Sequence, residues 1–492
     1  MKPYKITIFI FSCIALLAVL AGVFPKDGIR INDDTIIEFA SINSYIGISD
    51  HSPSVPDTLP QKDTVPQVKE IILTKEDSMQ LYLKDLQKIQ LPFVNPTDSN
   101  VQIDWAYLDA FYESLVNADS TCVNIVHYGD SQLEGDRISQ TLRMALQKQY
   151  GGGGVGLLPF FPTIGSMTMS EQTEPEPTTR YMVYGAQSLR RPQSKHYGPM
   201  GQVAVVNGTY KSLFYPATKK ANRFEAQYYN RFIVLAKTDS VCTITVNKQK
   251  KQLTPSDDMQ ILCFNLTDST TNLQATVEGK ADIYGYRMQC ERGVTVDNIP
   301  LRGCSGTIFT MIDPQQLKSY FKQTNTKLII LQFGGNSVPY IKSGKQIDTY
   351  VNQLTTQVKY LKKLAPDAKM LFIGPSDMTT KKQGERITYP LLPDLDDRLM
   401  LAMRQNGVAY WSMFQAMGGN GGMIKWVQEG LAGNDYIHFS RKGATKMGEM
   451  LTEVLLAGQE YYLYRLKKQL EAERLEAEQI NLQTDSNLQS VK

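Results

Sequence analysis

The chain has 492 residues, 42% apolar and 21% charged, which suits a globular protein but exceeds what one ordinary core organises, so two or three domains are expected. Its 52 Lys and Arg against 49 Asp and Glu leave a formal charge of +3. No dense Lys/Arg cluster with interleaved aromatics appears, which argues against nucleic acid as a partner. The six cysteines include no CxxC pair, so neither a zinc site nor a thioredoxin-like site is indicated. Cys122, Cys242 and Cys263 fall in strand-like runs as small hydrophobes, and a disulfide within the middle region is left open.

In chain order, Lys2 and Lys5 precede an uncharged run at residues 6–24. About 19 residues just span a ~30 Å hydrocarbon core, and the flanking lysines keep that end cytoplasmic. Val23, Phe24 and Pro25 follow the small pair Ala21-Gly22, a poor cleavage signal. Residues 1–25 therefore read as an uncleaved transmembrane anchor rather than a signal peptide, and either reading exports the body. Residues 26–99 form an extended segment with a Pro/Ser-rich linker, densest at 49–68.

From about residue 100, strands and helices alternate. CVNIVHY is a short apolar strand that ends at Gly129-Asp130-Ser131, and a helix follows with Ile138, Leu142 and Leu146 at helical spacing. The run YGGGGVGLL formally fits GxGxxG at Gly151, Gly153 and Gly156, but a helix precedes it, so it reads as a helix stop and a flexible loop near the site. Residues 165–297 change texture: short Val-, Ile-, Thr- and Tyr-rich runs between turns predict an all-β insert, a sandwich or jelly roll. Its Tyr228, Tyr229 and Phe232 are candidates for stacking on sugars, although such residues more often belong to a core. TKLIILQFG and KMLFIG then read as strands buried on both faces. Helices are expected at Ile347 to Leu361, over DLDDRLMLAMRQNG, and after Ser440 as N-cap; VAYWSM is a further strand. Residues 463–492 read as a charged helical extension. The alternation argues for a parallel sheet covered on both sides.

In such a sheet, ligands bind beyond the carboxyl ends of the strands, where Ser131 falls. A nucleophilic serine needs a base, nearly always histidine. Of the four histidines, His51 lies in the spacer, His127 within the strand and His196 in a loop of the insert. His438 stands before the last core helix, with Asp435 three residues earlier. The carboxylate can hold one imidazole nitrogen while the other takes the serine proton. Gly334-Gly335-Asn336 ends another buried strand, and an amide there can donate to a developing oxyanion. In LRGCSGT, Gly303 and Gly306 bracket a turn whose backbone N–H offers a second donor. No metal-ligand cluster or cofactor motif appears.

Together and in order, GDSQ, CSGT, GGNS and DYIH resemble the SGNH (GDSL-type) hydrolase family, over 100–164 and 298–462 as two parts of one domain. The resemblance implies an α/β fold, a flavodoxin-like three-layer α/β/α arrangement with a parallel sheet interrupted by the insert. It implies Ser131 as nucleophile, His438 as base and Asp435 as its partner. The oxyanion hole would combine the Ser131 amide, Gly306 and Asn336, with Asp130 structural and no cofactor or metal needed. Ser337 departs from the Asp that many members carry after the Asn. The insert and the run GVTVDNIPLRGCSGT further resemble bacterial peptidoglycan O-acetylesterases. This implies a carbohydrate-binding-like insert and a serine esterase acting on acyl, above all acetyl, esters of a cell-envelope glycan such as O-acetylated peptidoglycan. The expected location is periplasmic or otherwise extracytoplasmic, anchored to the inner membrane. Two rival readings stand beside it. One is an O-acetyltransferase of the same fold, partnered by a membrane-bound acyltransferase; the other is a non-catalytic glycan-binding protein whose Ser131 would not react with a fluorophosphonate.

Overall fold

The computed structural model describes residues 29–32, 35–37 and 106–489, apart from 163, 178, 218–227 and 271. The chain forms two compact units, Met1–Leu73 and Thr74–Lys492. In the first, Ile29–Asn32 pairs antiparallel with Thr35–Ile37. The expected anchor at residues 6–24 and the linker at 49–68 lie outside the described residues. Among the described residues, no helix is long and apolar enough to cross a membrane.

The second unit is built on a five-stranded parallel sheet: β1 (Cys122–Gly129), β2 (Gly293–Pro300), β3 (Thr326–Gln332), β4 (Lys369–Ile373) and β5 (Ala409–Trp411). Their order is β2-β1-β3-β4-β5, the flavodoxin-like arrangement, which puts a switch point between β1 and β3. Both faces are covered. Val126, Tyr128, Ile329, Leu331 and Phe372 pack with α3 (Pro314–Gln323), α4 (Gly344–Leu364) and α5 (Leu392–Gln405). Val123, Ile125, Leu328, Ile330 and Leu371 pack instead with α1 (Asp109–Val116), α2 (Ser139–Tyr150) and α6 (Arg441–Gln489). Alternate residues of one strand thus feed two cores, which is why these strands read as continuous apolar runs. Ser440 starts α6, its Oγ accepting from Gly443 N–H at 3.1 Å. The helix runs without a break past residue 463, where Arg465 pairs with Asp109 at 2.5 Å.

Between α2 and β2 lies one nine-stranded antiparallel sheet rather than two separate sheets. Its longest strand, Leu273–Gln289, pairs with Gln202–Pro216 over its first part and with Tyr229–Lys237 over its second, past a register shift between Ile283 and Gly285. The sheet encloses its own core, in which the rings of Phe214, Phe232 and Tyr286 stand 5.2 Å apart pairwise. Tyr229 and Phe232, candidate sugar stackers in sequence, are buried there.

The insert boundaries differ from the expected 165–297. Its first strand is Gly156–Leu158, and Gly293–Pro300 is the edge strand of the parallel sheet. That strand looks half-polar because Thr295 and Asp297 are buried against partners elsewhere in the chain. Asp297 accepts from Asn124 Nδ2 at 2.9 Å, from Leu157 N–H at 2.9 Å and from Arg287 Nε at 3.2 Å, and Tyr320 O–H donates to it as well. Arg287 Nη2 also reaches Asn124 Oδ1 at 2.7 Å. The Gly-rich run is packed backbone and not a flexible loop by the site. Gly152 bridges to Val294, and a Cβ at Gly154, where φ is +77°, would sit 2.2 Å from the Met288 carbonyl. The five described cysteines are free thiols.

His127 is fully buried in β1, with Nε2 3.1 Å from Gln332 Oε1 and Nδ1 3.0 Å from Ser139 Oγ. Burial disfavours its charged form and lowers its pKa from 6.5 to about 3. Below pH ~6.5 the unfolded chain therefore binds a proton that the native ring refuses until pH ~3. The stability this ring contributes is complete above pH ~6.5 and declines as the pH falls, by up to about 1.4 kcal/mol per unit. Denaturant titrations at pH 7 and pH 5 should show that loss, and a folded His127→Gln variant should show a shallower one.

Candidate active site

The carboxyl ends of β1 and β3 set the site. β1 ends at Gly129, where a side chain would press on Leu133 and on the Gln332 carbonyl. The chain then turns at Asp130 into a short 3₁₀ segment that opens with Ser131. Ser131 Oγ lies 2.9 Å from His438 Nε2, and His438 Nδ1 lies 2.8 Å from Asp435 Oδ2. With Nδ1 donating to the carboxylate, Nε2 is left to accept from the serine hydroxyl. Asp435 Oδ1 also accepts the backbone N–H groups of Ile437 and His438, each at 3.0 Å. Burial raises the Asp435 pKa, but the imidazole and these two N–H groups outweigh it and hold the carboxyl below its usual range. Tyr436, between them, takes φ +59°, and Arg386 lies 3.7 Å over its ring.

Asn336 follows β3 and comes to the same place. Its Nδ2 donates to Asp130 Oδ2 and to the Cys304 carbonyl, each at 3.2 Å. Asp130 thus fixes the amide, while its other oxygen accepts Gln132 N–H at 2.9 Å. Burial is the main influence on this carboxyl and, against the Gln132 N–H, pushes its pKa up to about 6. Gly306, at φ +83°, is wedged against the Phe333 ring, 2.7 Å from where a Cβ would stand. Its N–H donates to Cys304 Sγ at 3.2 Å, a weak acceptor. Gly306 therefore lies behind Asn336 with its N–H directed to that thiol, rather than on the cavity surface. His127 and His196 stay outside the constellation: the first faces α2 from within β1, and the second lies 3.8 Å from Asp313.

Ser131, Asn336 and His438 open onto a cavity of 190 Å³, walled also by Phe333, Pro375, Met378 and Ile437, with the exposed ring of Tyr340 among its lining. A larger cavity of 270 Å³ lies on the far side of the Ser131 turn, against Glu134, Asp136, Glu171 and Arg180, and holds neither nucleophile nor base. Two residues that sequence reasoning passed over support the site, Gln132 in the cavity wall and Arg137 against the backbone of Ser131 and Phe439. Gln132 donates from Nε2 to the Ile437 carbonyl at 2.7 Å and accepts the Phe439 N–H at 3.2 Å. Arg137 donates to the carbonyls of Ser131 at 2.6 Å and Phe439 at 3.2 Å. The only signal was position: both flank the candidate serine in a turn that had no other evident need for them.

The GDSL-like lipase/acylhydrolase family model matches residues 268–446. Over that stretch the chain is similar to the SGNH (GDSL-type) hydrolases. The match spans Gly306, Asn336, Asp435 and His438, while the insert sets Ser131 apart from it. This GDSL-type chain is accordingly a carboxylic-ester hydrolase. It is similar to a solved peptidoglycan O-acetylesterase structure, with 22% identity and a TM-score of 0.58 over 71% of this chain and 94% of the other, a likeness of fold. A family two carbohydrate esterase from Cellvibrio japonicus matches at 11% identity and a TM-score of 0.24 over 60% of this chain and 99% of that one. No curated protein matches the sequence.

Proposed function

We propose that this GDSL-type hydrolase removes acetyl groups from a cell-envelope glycan, such as O-acetylated peptidoglycan, through an acyl-enzyme on Ser131. The observation that carries the reading is the unbroken contact from Ser131 Oγ through the His438 ring to Asp435. Ser131 Oγ attacks the ester carbonyl as His438 Nε2 takes its proton, and Asp435 stabilises the imidazolium. The oxyanion is received by the Ser131 N–H and by Asn336 Nδ2, which exchanges one of its two present acceptors for it. His438 then protonates the departing sugar oxygen. Water, deprotonated by the same nitrogen, releases the acetate and restores the serine.

A short acyl group is favoured because the 190 Å³ cavity is smaller than the ~300–1,000 Å³ of pockets for drug-sized ligands. The glycan is favoured by the fold likeness to a peptidoglycan O-acetylesterase. The reading places the enzyme outside the cytoplasm on an inner-membrane anchor, supported by Lys2, Lys5 and the apolar run at 6–24.

The test is acetate release from O-acetylated peptidoglycan, run beside an aryl acetate and with a free sugar acceptor present. Free acetate from the polymer is the expected result. Acetyl appearing on the acceptor instead would make the chain a transferase, served by a membrane-bound acyltransferase. Turnover of the aryl ester alone would remove the glycan from the proposal.

A further inference from the structure

We infer that Gln132 is a positioning residue for the catalytic base, tying the nucleophile turn to the His438 segment so that the two move as one body. The inference rests on the reading of Ser131 and His438 as nucleophile and base. The His438 and Asp435 side chains are 42% and 48% exposed. Packing therefore does little to hold the imidazole, and its aim depends on the backbone that carries it. That backbone is gripped on every side. His438 N–H is held by Asp435, and its carbonyl accepts from Gly433 N–H at 2.8 Å. The carbonyl before it and the N–H after it are both taken by the one side-chain amide of Gln132.

Gln132 is itself fixed. It is 5% exposed, both polar ends of its amide are used, and its own N–H is bonded to Asp130. Arg137 adds a second tie, from the Ser131 carbonyl to the Phe439 carbonyl. A residue adjacent to the nucleophile thus spans to the base from 305 and 307 positions away in sequence. The separation between Oγ and Nε2 is then set within one hydrogen-bonded body. Misplacing reacting groups by about 1 Å can cost ~10²-fold in rate, so this grip should be visible in turnover.

The test compares Gln132→Leu with wild type on an aryl acetate, in the full chain and again in a His438→Ala background. Gln132→Leu should lower kcat by about 10- to 100-fold with KM changed less than about twofold. With His438 already replaced, the same substitution should change the residual rate by less than about twofold, because the group it positions is gone. If Gln132→Leu does not fold by near-UV circular dichroism, Gln132→Glu keeps the length and one acceptor and carries the same comparison. An unchanged kcat in the folded variant overturns the inference. So does an equal loss in the His438→Ala background, which would mark Gln132 as acting elsewhere. Wild-type turnover in His438→Ala alone would instead remove the base assignment and the inference with it.

Discussion

Replacing Ser131 by alanine should lower kcat on aryl acetates by about 10⁴- to 10⁶-fold, the range seen when the nucleophile of a serine triad is removed. Thermal unfolding should hardly move. The hydroxyl makes one side-chain contact, to the half-exposed His438 ring, so its loss leaves no buried group without a partner. The expected change in stability is within about 0.5 kcal/mol. The small residual rate should persist because Asn336 and the backbone amide of the replaced residue are untouched. Labelling by a fluorophosphonate should disappear in parallel. Turnover close to wild type in the folded alanine variant would end the assignment, since no other hydroxyl is placed against His438 among the described contacts.

The second large effect is on stability. Arg287 and Asp297 are both fully buried and meet where the insert's last strand passes beside β2. Arg287→Leu would leave the Asp297 carboxyl in the interior with only neutral donors: Asn124, Tyr320 and the Leu157 N–H. Breaking a buried pair from one side typically costs about 3–5 kcal/mol, a large part of the ~5–15 kcal/mol by which a domain is stable. Equilibrium unfolding in urea should show a loss of that size. Adding Asp297→Asn should recover part of it by removing the stranded charge. A single variant as stable as wild type would show that the pair does not hold the two sheets together.

The same cluster explains what the sequence hid. TKLIILQFG and KMLFIG are legible as buried strands because each buries both faces in hydrocarbon. GVTVDNIP is buried as deeply, yet it carries Thr295, Asp297 and Asn298. Their partners Cys122, Asn124 and Ser139 lie 159 to 173 positions away, where no local pattern links them. By sequence its first five residues, 293–297, therefore fall within the expected insert. The Gly-rich run is opaque for a related reason: its glycines answer to the close passage of other backbone, at Met288 and Val294, which periodicity does not report. At the site, Ser131, Asp435, His438 and Asn336 were legible because each has a chemical reason to sit at a strand end or ahead of a helix. Gln132 was not, because a glutamine in a turn looks like any solvated side chain until the segment it holds is seen beside it.

The position of the insert bears on how the chain is made. β1 is the first strand of the parallel sheet to leave the ribosome, but both of its neighbours, β2 and β3, are encoded after the insert. Roughly 160 residues separate its last residue from the first of β2, which at ~5–20 residues per second is about 8–30 s of synthesis. For that interval, the apolar segment that will carry the nucleophile has neither ladder partner. The nascent chain must be kept from aggregating until the insert has folded and released the second half, so slowing elongation within residues 156–289 should burden the cell's holding chaperones more than slowing it after residue 332.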